Sequence, residues 1–118
     1  MRQEDKELLL KDLCARLPYE VKIQVPYEDG SGYFDETVWE VNNEGPFHVN
    51  GWGIEYEYVK PYLFPLSSLT KKTLEELSAY IDIKNAYVAV EFFNSHHIDY
   101  RGLIEKGLAV DATGLNIY

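Results

Sequence analysis

The hydrophobic pattern of the sequence changes its period at Pro18, and this change constrains the fold more than any other feature. Before Pro18 the apolar positions follow the i, i+3, i+4, i+7 spacing, which places them on one stripe of an amphipathic helix over residues 4–17. After it, apolar and polar residues alternate from Tyr19 to Val25, as in a half-buried strand. Proline lacks an amide hydrogen and disfavours helical backbone before it, so Pro18 separates the two elements. The predicted helical stripe consists of Leu10, Leu13, Cys14 and Leu17.

Two further predictions concern side chains of this first helix. Cys14 is predicted to be a small core residue because it lies on the apolar stripe. The pairs Glu7–Lys11 and Asp12–Arg16 have i, i+4 spacing and are expected on the exposed face, where each contributes about 0.3 kcal/mol.

Glycine-rich turns divide the middle of the chain into short β-favouring stretches. Residues 33–41 predict a second strand, residues 47–49 a short piece, and residues 54–59 a further strand that ends before Lys60 and Pro61. This arrangement indicates a β-meander.

The second half of the chain is predicted to be mainly helical. A helix is expected from Thr70 to about Tyr80, while residues 86–93 fit both a helical stripe and strand propensity, with helix preferred. Asp99 is expected to cap a last short helix that stops at Gly107, and the tail from about 111 is expected to be loosely held.

Together these patterns predict one α+β domain over residues 1–118. In this domain an N-terminal helix and C-terminal helices pack on one face of a small antiparallel β-meander of three to four strands.

Composition and net charge reduce the number of functional classes that fit this sequence. The 118 residues carry 11 Lys and Arg against 20 Asp and Glu, a formal net charge of −9, and this field repels nucleic acid and anionic membranes. Cys14 is the only cysteine, and the chain has no apolar run long enough for a membrane span. We therefore expect a cytoplasmic protein with no cofactor, no metal, no direct nucleic-acid binding and an undetermined oligomeric state.

The negative charge is concentrated in one segment. Residues 20–57 contain nine acids and one base, and 11 of the 17 aromatic residues lie between Tyr19 and Phe64. Carboxylates and aromatic rings on one sheet suit a protein partner with a basic surface, although the same pattern also fits a solvated acidic sheet. The residues expected to bind the partner are Tyr33, Glu36, Glu40, Glu55, Tyr56 and Glu57.

A second hypothesis is a small enzyme. Its catalytic residues would be His96, His97, Asp99 and Arg101, with a histidine as general base, Asp99 orienting it and Arg101 stabilising an anion. A structural role fits the same residues and is preferred: the histidines complement a helix end, Asp99 caps the next helix and Arg101 pairs with an acid.

Two further readings receive less support from the residues. An acidic sheet that imitates duplex phosphates would make the chain a DNA-mimic inhibitor of a DNA-binding protein, but this needs carboxylates in rows. A calcium loop over residues 28–40 fails because Phe34 stands where the sharp turn requires glycine.

Three stretches resemble a set of short proteins of phages and prophages of Bacteroidetes-type gut anaerobes, for which no function is established. They are LLLKDLCARLPYEVKIQV, VKPYLFPLSSLT and FNSHHIDYRGLIEKGLA. Among the similar proteins the acidic segment, at about 28–53, varies in length and content. The resemblance implies a phage-related protein of the bacterial cytoplasm, a setting in which small accessory proteins act by binding, and it implies no catalytic residue.

Overall fold

The computed structural model describes residues 2–41, 46–48, 58–69, 75 and 86–118. The chain begins with helix α1 and ends its regular structure with two short strands. The elements are α1 (Gln3–Arg16), a 3-10 turn (Leu17–Tyr19), β1 (Lys22–Pro26), β2 (Tyr33–Val41), β3 (Pro46–His48), β4 (Lys60–Pro65), a 3-10 turn (Leu66–Ser68), α2 (Ala86–Ser95), β5 (Ile98–Asp99) and β6 (Val110–Asp111).

Within the described ranges the strands form one sheet in the order β3-β2-β1-β4-β5, with β6 also paired to β4. The β1–β2, β2–β3 and β1–β4 pairs are antiparallel, as the meander predicts. The pairs of β4 with β5 and β6 are parallel, so the sheet is mixed rather than wholly antiparallel. The α+β class is confirmed, with α1 packed against α2 and β2.

Strand β4 begins where the sequence pattern predicts the end of a strand. Lys60 and Pro61 were expected to stop a strand over 54–59, of which residues 54–57 lie outside the described part of the chain, but they begin β4 instead. Pro61 pairs with Ile23 in the antiparallel ladder. Such ladders alternate between hydrogen-bonded and non-hydrogen-bonded pairs, and proline is compatible with the second kind because it has no N–H to donate.

The buried stripe of α1 is shifted by one residue from the predicted one. Leu9, Asp12, Leu13 and Arg16 are buried, whereas Cys14 is exposed and Leu10 is only partly buried. The prediction that Cys14 belongs to the core is therefore wrong, as is the prediction of an exposed Asp12–Arg16 pair. Helical spacing is preserved, but two of its four buried positions are charged. Among the described residues, the apolar core includes Leu9, Leu13, Val21, Ile23, Val25, Val38, Val59, Leu63, Leu103, Leu108 and Ala109.

The helix preferred for residues 86–93 is confirmed as α2. The short helix expected after Asp99 is a series of turns over 103–107, which Asp99 caps as predicted: its carboxylate accepts the N–H groups of Leu103 and Ile104 at 2.9 Å each. Gly107 closes the turns at φ +75°, the left-handed conformation that glycine favours. The helix expected from Thr70 to about Tyr80 lies, apart from Glu75, outside the described residues.

The last residues of the chain contact the sheet. Ala112 donates its N–H to Leu63 O at 2.8 Å, and Tyr118 bonds to β1 and β4. That the tail from about 111 is loosely held is a statement about motion, and it stays a prediction. The hydrogen bonds of Ala112 and Tyr118 argue against it. In the part of the chain that is described, no helix has the length and apolarity needed to cross a membrane.

Candidate functional site

A buried polar cluster joins α1 to the segment that follows α2. Asp12 is fully buried, and each of its carboxylate oxygens accepts one arginine: Arg16 Nε at 2.8 Å and Arg101 Nε at 3.1 Å. Helix α1 supplies Asp12 and Arg16, which face inward because they are one turn apart on the buried stripe. One buried carboxylate thus binds two guanidinium groups, of which that of Arg16 is fully buried and that of Arg101 is partly exposed.

The two arginines of this cluster also contact backbone carbonyl groups and an aromatic side chain. Arg16, itself fully buried, donates to the carbonyl oxygens of Phe93 and Ile98, at the end of α2 and in β5. Arg101 Nη2 donates to the Tyr100 hydroxyl at 2.8 Å, and its guanidinium lies 4.7 Å from the centroid of the Tyr100 ring. Arg16 therefore fixes the position of the α2–β5 junction relative to α1.

Three of the four predicted catalytic residues have structural partners. Asp99 is buried and accepts the two backbone N–H groups of the 103–107 turns. Arg101 binds Asp12, and His96 Nδ1 lies 2.9 Å from Phe92 O with its ring stacked on Phe92. These contacts match the structural interpretation of the residues. Within the described residues, the bonds of Asp99 orient neither histidine.

His97, the fourth residue, is only 9% exposed and adopts φ +58° just after α2. Burial, reinforced by the positive charge of Arg16 and the neighbouring His96 and Lys22, lowers the pKa of His97 to about 4. Its ring is therefore neutral near pH 7. In the described structure its Nδ1 and the buried Oδ1 of Asn94 have no hydrogen-bond partner.

The ring of His97 is stacked on Tyr118, with centroids 3.6 Å apart and planes 9° apart. The Tyr118 hydroxyl accepts the N–H of Lys22 at 2.9 Å and donates to Tyr62 O at 2.8 Å. The β1–β4 register ends at Ile23↔Pro61, so its next pair would be Lys22 with Tyr62. The phenol of Tyr118 stands in place of that pair's direct hydrogen bond, and burial raises the pKa of Tyr118 to about 12.

The second candidate site is the β1–β2 hairpin. We call Tyr27, Glu28, Asp29, Tyr33 and Asp35 the hairpin patch; all five residues are exposed, with Tyr27 at 48% and Tyr33 at 63%. Hydrogen bonds from Ser31 lower the pKa of Asp29, which stabilises its charge within the turn. The sequence has no Lys or Arg over residues 23–59.

The predicted partner-binding residues do not all share one face. Tyr33 is exposed beside Pro26, and Glu40 is exposed further along β2. A register shift between Val38 and Glu40 places these two residues opposite successive residues of β3, so Glu40 points away from the buried Val38. Glu40 consequently lies on the same sheet face as Tyr33.

Glu36 does not join that face. It pairs with the buried Ile23, and paired residues share a face, so Glu36 points to the side that α1 covers. The other predicted residues, Glu55, Tyr56 and Glu57, lie outside the described part of the chain.

Sequence reasoning missed Asp12, Arg16 and Tyr118. A signal for the first two was present: Leu9, Asp12, Leu13 and Arg16 have the same i, i+3, i+4, i+7 spacing as the apolar stripe. Nothing in the local pattern around Tyr118 marks its contact with β1, which lies 96 residues away.

Over the residues that are described, no group of three His, Cys, Asp or Glu side chains is placed to hold a metal ion. No protein-family model, curated protein or solved structure matches the chain.

Proposed function

We propose that the chain binds a protein partner with a basic surface, and that the hairpin patch is the centre of the contact. The observation that carries this proposal is the exposed Tyr33 beside the exposed Asp35 on one face of the hairpin, with Tyr27, Glu28 and Asp29 exposed towards its turn. Tyr27 packs on Phe34, which lies on the opposite face from Tyr33, so Tyr27 adds contact area at the end of the hairpin.

Residues 23–59 contain no Lys or Arg, and the bases on the same sheet face, Lys22 and Lys60, lie on β1 and β4. Asp35 also accepts a hydrogen bond from the Tyr62 side chain.

Physical chemistry gives the two residue types separate roles. Tyrosine supplies a large contact area at a low cost in side-chain entropy, and carboxylates attract Lys and Arg and orient the approach. The exposed position of Tyr33 beside Asp35 on the open side of the sheet offers both in one place. Glu40, further along the same face, extends the negative surface.

The alternatives receive less support. The four residues of the enzymatic hypothesis make structural contacts or are buried, as described above. A DNA mimic needs about one charge per 1.7 Å of duplex axis. Among the described residues, β2 offers Asp35 and Glu40 as exposed acids along nine residues, or about 30 Å. The resemblance to phage and prophage proteins favours the bacterial cytoplasm as the place of action.

Photo-crosslinking tests this proposal. A benzophenone amino acid replaces Tyr33 in the full chain, and adducts are collected from a lysate of a Bacteroidetes-type anaerobe at about 50 mM and about 300 mM salt, since exposed charges are screened within about 10 Å at 0.1 M. We expect one main adduct, with a protein that has a basic surface, and its loss at the higher salt concentration.

A matched pair of charge variants provides the control. The first neutralises Glu28, Asp29, Asp35 and Glu40 as Gln or Asn, and the second neutralises four exposed acids elsewhere, namely Glu4, Glu7, Glu20 and Glu105. Only the first variant should lose the adduct. Equal adduct yields from both variants, or a yield independent of salt, would contradict the proposal.

A further inference from the structure

Tyr118, which is 42% exposed, lays its phenol against the place where the β1–β4 pairing ends, and we call the surface that it covers the slot. One wall is the His97 ring, which stacks on the occupant at 3.6 Å, and Phe64 lies beside it with ring centroids 6.0 Å apart. At its end the slot presents one donor, the Lys22 N–H, and two acceptors: the Tyr62 carbonyl at 2.8 Å and, more distant, the Lys22 carbonyl at 3.5 Å. Tyr118 fills this slot.

The polar end of the slot selects the chemistry of its occupant. A group that satisfies both Lys22 and Tyr62 must accept one hydrogen bond and donate another at the same atom, which a hydroxyl does. The stacked histidine ring and Phe64 require an aromatic body behind that hydroxyl. A tyrosine side chain meets both requirements, whereas phenylalanine leaves two backbone groups without a partner.

The walls of the slot are held independently of the occupant. Tyr62 is buried in β4 and paired with β6. His97 donates its backbone N–H to Asn94 O at 3.2 Å, and its carbonyl accepts the N–H of Phe64 at 2.8 Å. The slot therefore belongs to the sheet and to the α2–β5 junction.

The segment that carries Tyr118 is attached mainly at its end. Residues 113–116 are exposed, with Leu115 at 48%. Their hydrogen bonds are local, from Thr113 N to Asp111 Oδ1 and from Leu115 N to Ala112 O, and the sheet is reached by Ile117, whose carbonyl accepts Lys22 Nζ at 2.9 Å. Removal of Tyr118 from the slot requires little else to be broken.

We propose that this slot is a receptor for a tyrosine side chain presented by a partner peptide, and that Tyr118 is its built-in competitor. A partner tyrosine enters when the 113–118 segment leaves, so the segment sets the affinity of the slot. This site is separate from the hairpin patch, and its test does not depend on the function proposed above.

The test uses the full chain with Tyr118→Ala, and the probe is the hexapeptide of sequence TGLNIY, which copies residues 113–118. The matched peptide ends in phenylalanine. Binding is measured by calorimetry and by the amide NMR signals of Lys22 and His97. We expect the tyrosine peptide to bind the variant about tenfold more tightly than the phenylalanine peptide, the ratio that corresponds to about 1.4 kcal/mol. Equal affinity of the two peptides would overturn the proposal.

Two further variants keep the test decisive if Tyr118→Ala folds poorly. Tyr118→Phe retains the ring but loses the hydroxyl bridge, and Leu115→Ala changes the exposed part of the segment while leaving the slot filled. The tyrosine peptide should bind Tyr118→Phe more tightly than wild type, and it should bind Leu115→Ala no more tightly than wild type. Equal binding to Tyr118→Phe and wild type, or no response of the Lys22 and His97 signals, would reject the slot.

Discussion

Arg16 Nε donates to Asp12 Oδ2 at 2.8 Å, and both side chains are fully excluded from water. The same carboxylate accepts Arg101, so removal of Asp12 leaves two guanidinium groups without their counter-ion. Breaking a buried ion pair on one side costs roughly 3–5 kcal/mol, because the remaining charge stays desolvated. Asp12→Ala should therefore lower the free energy of unfolding by about that amount in urea titrations.

A control for this prediction lies on the same helix. Glu7 is exposed, so Glu7→Ala should change the free energy of unfolding by no more than about 0.5 kcal/mol. Similar losses for the two variants would contradict the role assigned to Asp12.

Stability should depend on pH through His97. Its pKa is about 4 in the folded protein and about 6.5 when unfolded, so between these values the unfolded state binds more protons. The free energy of unfolding should fall as the pH is lowered from about 6.5 to 4. His97→Gln should flatten this slope. A His97→Gln slope identical to wild type in urea titrations across this range would contradict the prediction.

Cys14 should react as a surface thiol. Its exposed position on α1 implies that a maleimide or a disulfide reagent modifies it in the folded protein at a rate close to that of a cysteine in a short peptide. Cys14→Ser should abolish labelling and leave the thermal midpoint within about 2 °C of wild type. Labelling that occurs only in denaturant would show that Cys14 is buried and would contradict this prediction.

Glu20 occupies a backbone conformation that suits glycine. It follows the 3-10 turn of Leu17–Tyr19 at φ 55° and ψ 48° and is exposed. The left-handed region costs a residue with a side chain roughly 1–2 kcal/mol, a cost that glycine avoids. Part of this advantage is offset, because glycine loses more backbone freedom on folding than other residues do. Glu20→Gly should stabilise the protein by about 0.5 kcal/mol.

Glu20→Ala is the control for this position, because alanine retains the left-handed penalty. Its thermal midpoint should match wild type, whereas that of Glu20→Gly should be higher. A midpoint for Glu20→Gly below that of Glu20→Ala would show that the backbone at this position is not strained.

The sequence predicts the local elements well where periodicity and punctuation agree. Pro18 separates α1 from the strand that follows, and the left-handed Gly107 ends the turns after Asp99. The sequence-based prediction is wrong at Pro61. Whether the interior of a strand accepts a proline depends on the pairing register, and the sequence of one strand does not reveal that register. The helical spacing of Asp12 and Arg16 with Leu9 and Leu13 is compatible with a buried stripe, but it does not show that the two charges have partners there, since Ile98 and Arg101 come from the far end of the chain.

The candidate sites also differ in how far the local sequence predicts them. The exposed Tyr33 and the structural role of Asp99 follow from local sequence, because strand alternation and capping are local rules. The slot around Tyr118 depends on three segments that meet only in the folded sheet, and no local rule identifies it.

The long sequence separation of these polar contacts governs when the protein folds during synthesis. Arg16 reaches Ile98 across 82 residues, Arg101 reaches Asp12 across 89, and Lys22 reaches Tyr118 across 96. A nascent chain that has made only α1 already contains the Asp12–Arg16 pair, but it lacks Arg101 and the Ile98 carbonyl, which complete the hydrogen bonds of these two side chains. The contacts of α1 with residues 93–101 consequently form only after that part of the chain has emerged, so the native packing of α1 is a late event in synthesis.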